Sequence, residues 1–120
     1  MAQSFKDLVA WQKAMDLADT IHEMTAEFPQ REMYRLADQM RRAAVSIPSN
    51  IAEGQARFSK RDFRYFLRDA RGSLAELETQ VLIAERRHYL TPQQSASLEE
   101  RVVELGRILN GLMNSIQVED

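Results

Sequence analysis

Apolar residues return at alternating intervals of four and three along nearly the whole chain, the spacing that makes a stripe down one side of a helix. Ala10, Ala14, Leu17, Ile21, Met24 and Phe28 form the first seam. Leu8, Trp11, Met15 and Ala18 add a second stripe beside it, so this helix is expected to bury a wide face, with Trp11 and the methionines as core. Pro29 stops it, because proline disfavours helical geometry in the residue before it.

Met33, Leu36, Met40, Ala43 and Ile47, then Asn50 and Gly54, make a second seam, with Pro48 inside it expected to kink the helix by removing one backbone bond. The third seam is the most regular: Phe63, Leu67, Ala70, Leu74, Leu77, Val81, Ala84, His88. Ser59 is its natural N-cap, with Asp62 at the capping-box position. Thr91 and Pro92 read as the cap and first residue of a fourth helix, whose seam is Leu98, Val102, Leu105, Leu109, Leu112 and Ile116. The expected helices cover approximately residues 5–28, 31–56, 59–89 and 92–117. Each is roughly 35–45 Å long at 1.5 Å per residue. Short connections around 29–31, 55–59 and 89–92 force sequential antiparallel neighbours. The fold class predicted is all-α: an antiparallel, up-down-up-down four-helix bundle with left-handed packing, in a single domain over 1–120.

Composition narrows the function classes. The chain has 120 residues and no cysteine, which excludes disulfide frameworks, thiolate zinc sites, iron–sulfur clusters and cysteine nucleophiles. No apolar run is long enough to span a bilayer, and the N-terminus lacks the pattern of a signal peptide, so a cytoplasmic protein without a membrane partner is expected. The glycines stand singly, so there is no phosphate-cradling loop, and His22 and His88 are the only histidines available as a base. The neighbouring acids Glu76/Glu78 and Glu99/Glu100 point apart on their own helices and read as solvated faces. No enzyme activity and no cofactor are expected.

One metal alternative stands. Asp19-x-x-His22 and Glu85-x-x-His88 each place a carboxylate and an imidazole one turn apart, as dimetal-carboxylate bundles do. Against it, both pairs fall near helix ends, Arg86 and Arg87 crowd the second, and the other helices offer only Glu32 and Glu99 nearby.

The charge pattern says more than the net charge of −2. Between Arg31 and Arg71 ten bases meet only five acids, making that segment +5 and leaving −7 for the remainder. Arg61, Arg64, Arg68 and Arg71 are spaced three, four and three apart and share one helical face; Arg57, Lys60, Arg41 and Arg42 extend the basic surface. Guanidinium forks suit phosphate and carboxylate equally. The ridge therefore reads as a solvated face, as a dock for acidic faces of another subunit, or as a track for a nucleic-acid backbone.

The stretch Ser46-Ile-Pro-Ser-Asn-Ile-Ala-Glu-Gly54 places an amide, Asn50, on the core seam, where it needs partners. A ligand site at the Pro48 kink is one reading. The favoured one is a polar clasp between helices, formed by Ser46, Pro48, Asn50, Glu53 and Gly54 with Gly72 and Ser73, where Gly72 would allow close approach.

Phe5-Lys-Asp-Leu-Val-Ala-Trp-Gln-Lys-Ala14, Phe28-Pro29, Gln39 through Gly54, and Phe66-Leu-Arg-Asp-Ala-Arg-Gly-Ser-Leu-Ala-Glu-Leu77 together resemble the four-helix-bundle family of 23S ribosomal RNA intervening-sequence proteins. The resemblance spans nearly the whole chain. It implies an antiparallel bundle and a ring of subunits, a homopentamer, and it carries over no catalytic residue. More distantly the chain is similar to the accessory variability protein of diversity-generating retroelements, a pentameric barrel that binds nucleic acid and a reverse transcriptase. That relative is strongly basic and this chain is −2, so assembly carries over more directly than nucleic-acid binding. The function expected is a non-enzymatic, oligomeric binding or scaffold protein, with RNA or an RNA-handling protein as partner. A purely structural oligomer without an external ligand is the alternative.

Overall fold

The computed structural model describes residues 4–33 and 35–118. Four helices, α1 (Val9–Thr25), α2 (Leu36–Ala56), α3 (Lys60–Arg86) and α4 (Pro92–Ser115), form an all-α four-helix bundle measuring 47 × 24 × 22 Å. Cross-links between helices fix their directions. The start of α2 meets the end of α1 through Arg41 and Thr25, and Glu85 meets Ser95 at the α3–α4 turn, while Arg71 reaches Asn110 at the far end of the same pair. Thr20 and Lys13 of α1 meet Arg101 and Glu104 of α4, which runs the opposite way.

The seams are the core. Ala14, Leu17, Ile21, Met40, Ile47, Leu67, Leu74, Leu77, Val81, Leu98, Leu105 and Leu109 are all buried. Pro48 is buried inside α2, which runs through it as one continuous helix. The helix ends depart from the expected bounds. Phe5–Asp7 is a separate 3-10 turn, capped by Ser4, before α1 begins. A second 3-10 turn, Gln30–Glu32, follows Pro29, so the α1–α2 connection is longer than expected and α2 starts at Leu36.

Both turns flanking α3 are made by side-chain-bearing residues in the left-handed region: Phe58 at φ 56° after α2, and His88 at φ 62° after α3. At His88 the amide of Tyr89 bonds the Ala84 carbonyl at 2.9 Å, a Schellman closure that stops α3 at Arg86. His88 is therefore exposed and leaves the seam. Ser59 Oγ accepts from the Asp62 amide at 3.2 Å to start α3. Thr91 and Gln94 close a full capping box on α4.

The second stripe of α1 is only partly covered. Trp11 and Ala18 are half-buried and Met15 is 39% exposed, because Arg41, Val45, Pro48 and Ser49 of α2 face them across an open groove of about 410 Å3 instead of closing on them. A wide buried face on α1 is thus corrected to a single buried seam beside a groove wall.

Candidate nucleic-acid interface

Once Ser59 starts α3, the next two turns display Lys60, Arg61, Arg64 and Arg68 on a face flanking the buried seam of Leu67 and Ala70, with Arg64 half-buried and the other three exposed. None of these four cations makes an ion pair among the described residues. Arg61, Arg64 and Arg68 line a depression of about 310 Å3 with Tyr65 and Val118. The Arg64 Nε is buried and has no hydrogen-bond partner among the described residues. A buried donor without an acceptor carries an unrecovered desolvation cost.

The other expected members of the ridge are spent elsewhere. Arg42 pairs with Asp38 at 2.8 Å, and Arg57 pairs with Glu53 at 3.0 Å, each one turn along α2. Arg41 donates from Nε to the buried Thr25 hydroxyl at 2.8 Å and from a terminal nitrogen to the His22 carbonyl at 3.3 Å, tying α2 to α1. Arg71 donates to Asn110 at 3.2 Å and packs beside Gly106 of α4. The eight-residue surface divides into a cluster of four cations without ion pairs among the described residues and four arginines already engaged, Arg42 and Arg57 by surface carboxylates and Arg41 and Arg71 by neighbouring helices.

Aromatic rings border the cluster. Tyr65 is 60% exposed and meets the Phe66 ring edge-on at 5.5 Å and 86°. Arg57 lies 5.1 Å above the same Phe66 ring, so its guanidinium is held both by a carboxylate and by a π-face. Phe58, beside it in the turn, is 84% exposed. Tyr65 and Phe58 were not singled out as site residues by sequence; the available signal was the interleaving of aromatics with bases from Arg57 to Arg68.

Residues 46–73 bring some of the clasp residues together. Ser46 and Ser73 hydroxyls sit 2.8 Å apart between α2 and α3, and Asn50 Nδ2 donates to the Ser46 carbonyl at 2.8 Å and hydroxyl at 3.0 Å. Pro48 faces the α1–α2 groove instead, and Glu53 faces solvent with Arg57. Close approach belongs to Gly54: a Cβ there would lie 2.7 Å from the Phe66 Cβ and 3.2 Å from the Phe63 ring. Gly72 corrects the expectation, since nothing lies within 4 Å of a Cβ added to it. It falls between the seam positions Ala70 and Leu74 and points outward.

The carboxylate–histidine pairs are not assembled. His22 and His88 are exposed, Glu85 accepts from the Ser95 hydroxyl at 2.7 Å, and no three potential metal ligands cluster among the described residues. A different acid pair forms, one that per-helix spacing could not show. Glu78 of α3 meets Glu99 of α4, and their hydrogen bond, partial burial and like charge raise the Glu99 carboxyl to about 7. Reading both as solvated acids is therefore corrected for Glu99, one of whose oxygens is buried.

No helix of the described residues is long and apolar enough to cross a membrane. The sequence profile of the 23S rRNA-intervening sequence proteins matches residues 6–111. Among solved structures, a protein of unknown function from the S23 ribosomal protein family of Bacteroides thetaiotaomicron superposes with a TM-score of 0.83 at 24% identity, covering 91% of this chain and 98% of that one. That likeness speaks for the fold. No curated protein matches the chain significantly.

Proposed function

We propose that this chain, which belongs to the 23S rRNA-intervening sequence protein family, is a non-enzymatic helical-bundle scaffold that assembles into a homo-oligomer, a pentameric ring, and carries RNA on the outer face of α3. The observation behind the RNA reading is the cluster of Lys60, Arg61, Arg64 and Arg68, four cations without ion pairs on one helix face among the described residues. A surface of this kind suits a polyphosphate backbone, whose condensed counterions are released on contact. Oligomerisation is supported by apolar surface left uncovered: Met15 and Val45 in the α1–α2 groove, Leu82 and Ile83 on α3, and Val103 on α4. The cytoplasm is the compartment proposed.

A second reading is favoured by the net charge of −2. In a purely structural oligomer the arginine face would dock on the acids of a neighbouring subunit, among them Glu100 and Glu104 of α4, with no external ligand.

Native mass spectrometry of protein purified at low salt, before and after ribonuclease, separates the readings. The expected result is a heavy, heterogeneous species that collapses to a ring near five chain masses, with Arg64→Glu/Arg68→Glu keeping the ring and losing the adduct. A clean ring without adduct, dispersed by that double substitution, supports the structural oligomer. A monomer under all conditions overturns assembly.

A further inference from the structure

We infer that the RNA carried by this face is single-stranded, and that Tyr65 is the platform on which its unpaired bases stack while Arg61, Arg64 and Arg68 hold the backbone. The inference rests on the RNA reading above and adds to it the conformation of the strand and the residue that selects it. Three observations carry it.

The first is that the cations and the aromatic ring share one depression: Tyr65 stands between Arg61, Arg64 and Arg68 on its wall. A surface serving only phosphates has no use for a ring there. Rings interleaved with bases are the chemistry of single-strand binding, in which every base offers a π-face and the phosphates track the charges. In a duplex the bases are already stacked on one another and present no face to a side chain.

The second is exposure against chemistry. Tyr65 and Phe58 are 60% and 84% exposed, whereas the other aromatic rings among the described residues are at least partly buried. Leaving two aromatic rings in water forgoes their burial, and Tyr65 stands among unpaired arginines. The depression itself is lined mainly by guanidinium groups, so a wholly apolar partner would strand those charges.

The third is support. Tyr65 is braced edge-on by Phe66, and Phe66 is covered by Arg57, which is fixed in turn by Glu53. A ring already held in place loses little freedom when a base lands on it. Arg64, whose Nε is buried and unpartnered, lines the same depression and supplies a fixed positive charge for the phosphate that accompanies that base.

The test is fluorescence anisotropy of the full chain with a labelled oligouridylate of about 12 nucleotides, a length typical of single-strand sites, and with duplex RNA of the same length. The strand is expected to bind about tenfold or more tighter than the duplex; Tyr65→Ala is expected to lose about tenfold on the strand alone, and Tyr65→Phe to restore it. Salt dependence should be unchanged by Tyr65→Ala and reduced by Arg64→Gln, since only the arginine releases counterions. Equal affinity for strand and duplex, with Arg64→Gln still weakening both, overturns the single-strand inference and leaves the RNA reading standing. So does a Tyr65→Ala variant that binds like the parent. Binding to neither probe overturns both. Circular dichroism of each variant checks that the bundle is intact.

Discussion

Gly54 and Phe66 are neighbours at a distance only glycine permits: a Cβ on Gly54 would sit 2.7 Å from the Phe66 Cβ, where α2 and α3 cross. Gly54→Ala is therefore expected to destabilise the protein by about 2 kcal/mol through overpacking, despite alanine's better helix propensity. Gly72→Ala, in open space on an exposed helical position, should instead raise stability by up to about 1 kcal/mol. Chemical denaturation of the two variants gives opposite shifts of midpoint; a stabilising Gly54→Ala would mean that the helices can part there without cost.

Ser46 stands at the centre of the polar contact, shared between Ser73 and Asn50. Ser46→Ala and Ser73→Ala are each expected to cost about 1 kcal/mol, and the double variant less than their sum, because they remove the same bond. Strict additivity in that cycle would show the 2.8 Å contact to be energetically empty. We propose that Asn50 sets the register of α2 on α3, so Asn50→Leu should change oligomer mass or unfolding midpoint.

Glu99 makes stability depend on pH. A carboxyl raised from 4.5 to about 7 holds its proton more tightly in the folded chain than in the unfolded one. Its contribution to stability is thus full at acid pH, falls as pH rises between those two values, and is gone above them. Glu99→Gln, a permanent mimic of the protonated form, should be about 1 kcal/mol more stable than the parent at pH 8, allowing for solvent screening, and nearly equal to it at pH 4. Thermal melts at the two pH values check it; a uniform shift at both would point to packing instead of the proton.

Arginines that look alike in sequence should behave differently. Arg42, already paired with Asp38, is expected to leave RNA affinity almost unchanged when replaced by glutamine. Arg64 and Arg68 should each lower the slope of log affinity against log salt by about 0.7, the value for one phosphate of a single strand. Equal slopes for all three variants would erase the distinction between engaged and unpaired cations.

How much of this was legible follows from sequence distance. The seams were, because helix periodicity is a local property: Leu67, Ala70, Leu74, Leu77, Val81 and Ala84 are buried as their spacing predicts. The Arg42–Asp38 and Arg57–Glu53 pairs were legible too, at one helical turn each, and splitting them from the ridge needed only the rule for such neighbours. Gly54 lay on its seam and Gly72 off it, so their roles were separable in principle. The fates of Arg41, Arg71 and Glu99 were not. Each is decided by a partner on another helix, and the rotational setting of one helix against the next is fixed only when the whole core packs. The partly covered stripe of α1 belongs with these, since periodicity marks a face as apolar without saying what closes over it.

The chain order of the four helices also implies a folding order. Helices α2 and α3 share the most extensive contact in the bundle and are joined by three residues, 57–59, whereas the α1–α4 bond between Thr20 and Arg101 spans 81 residues. Contacts that close short loops form first and those that close long ones last. The α2–α3 hairpin is accordingly expected to gain amide protection earliest in pulsed hydrogen exchange, with α1 and α4 following; simultaneous protection of all four would refute this. Until those outer helices dock, the hairpin already carries Lys60, Arg61, Arg64 and Arg68 while its apolar face is bare. A nascent chain would then meet polyanions before it could meet another copy of itself.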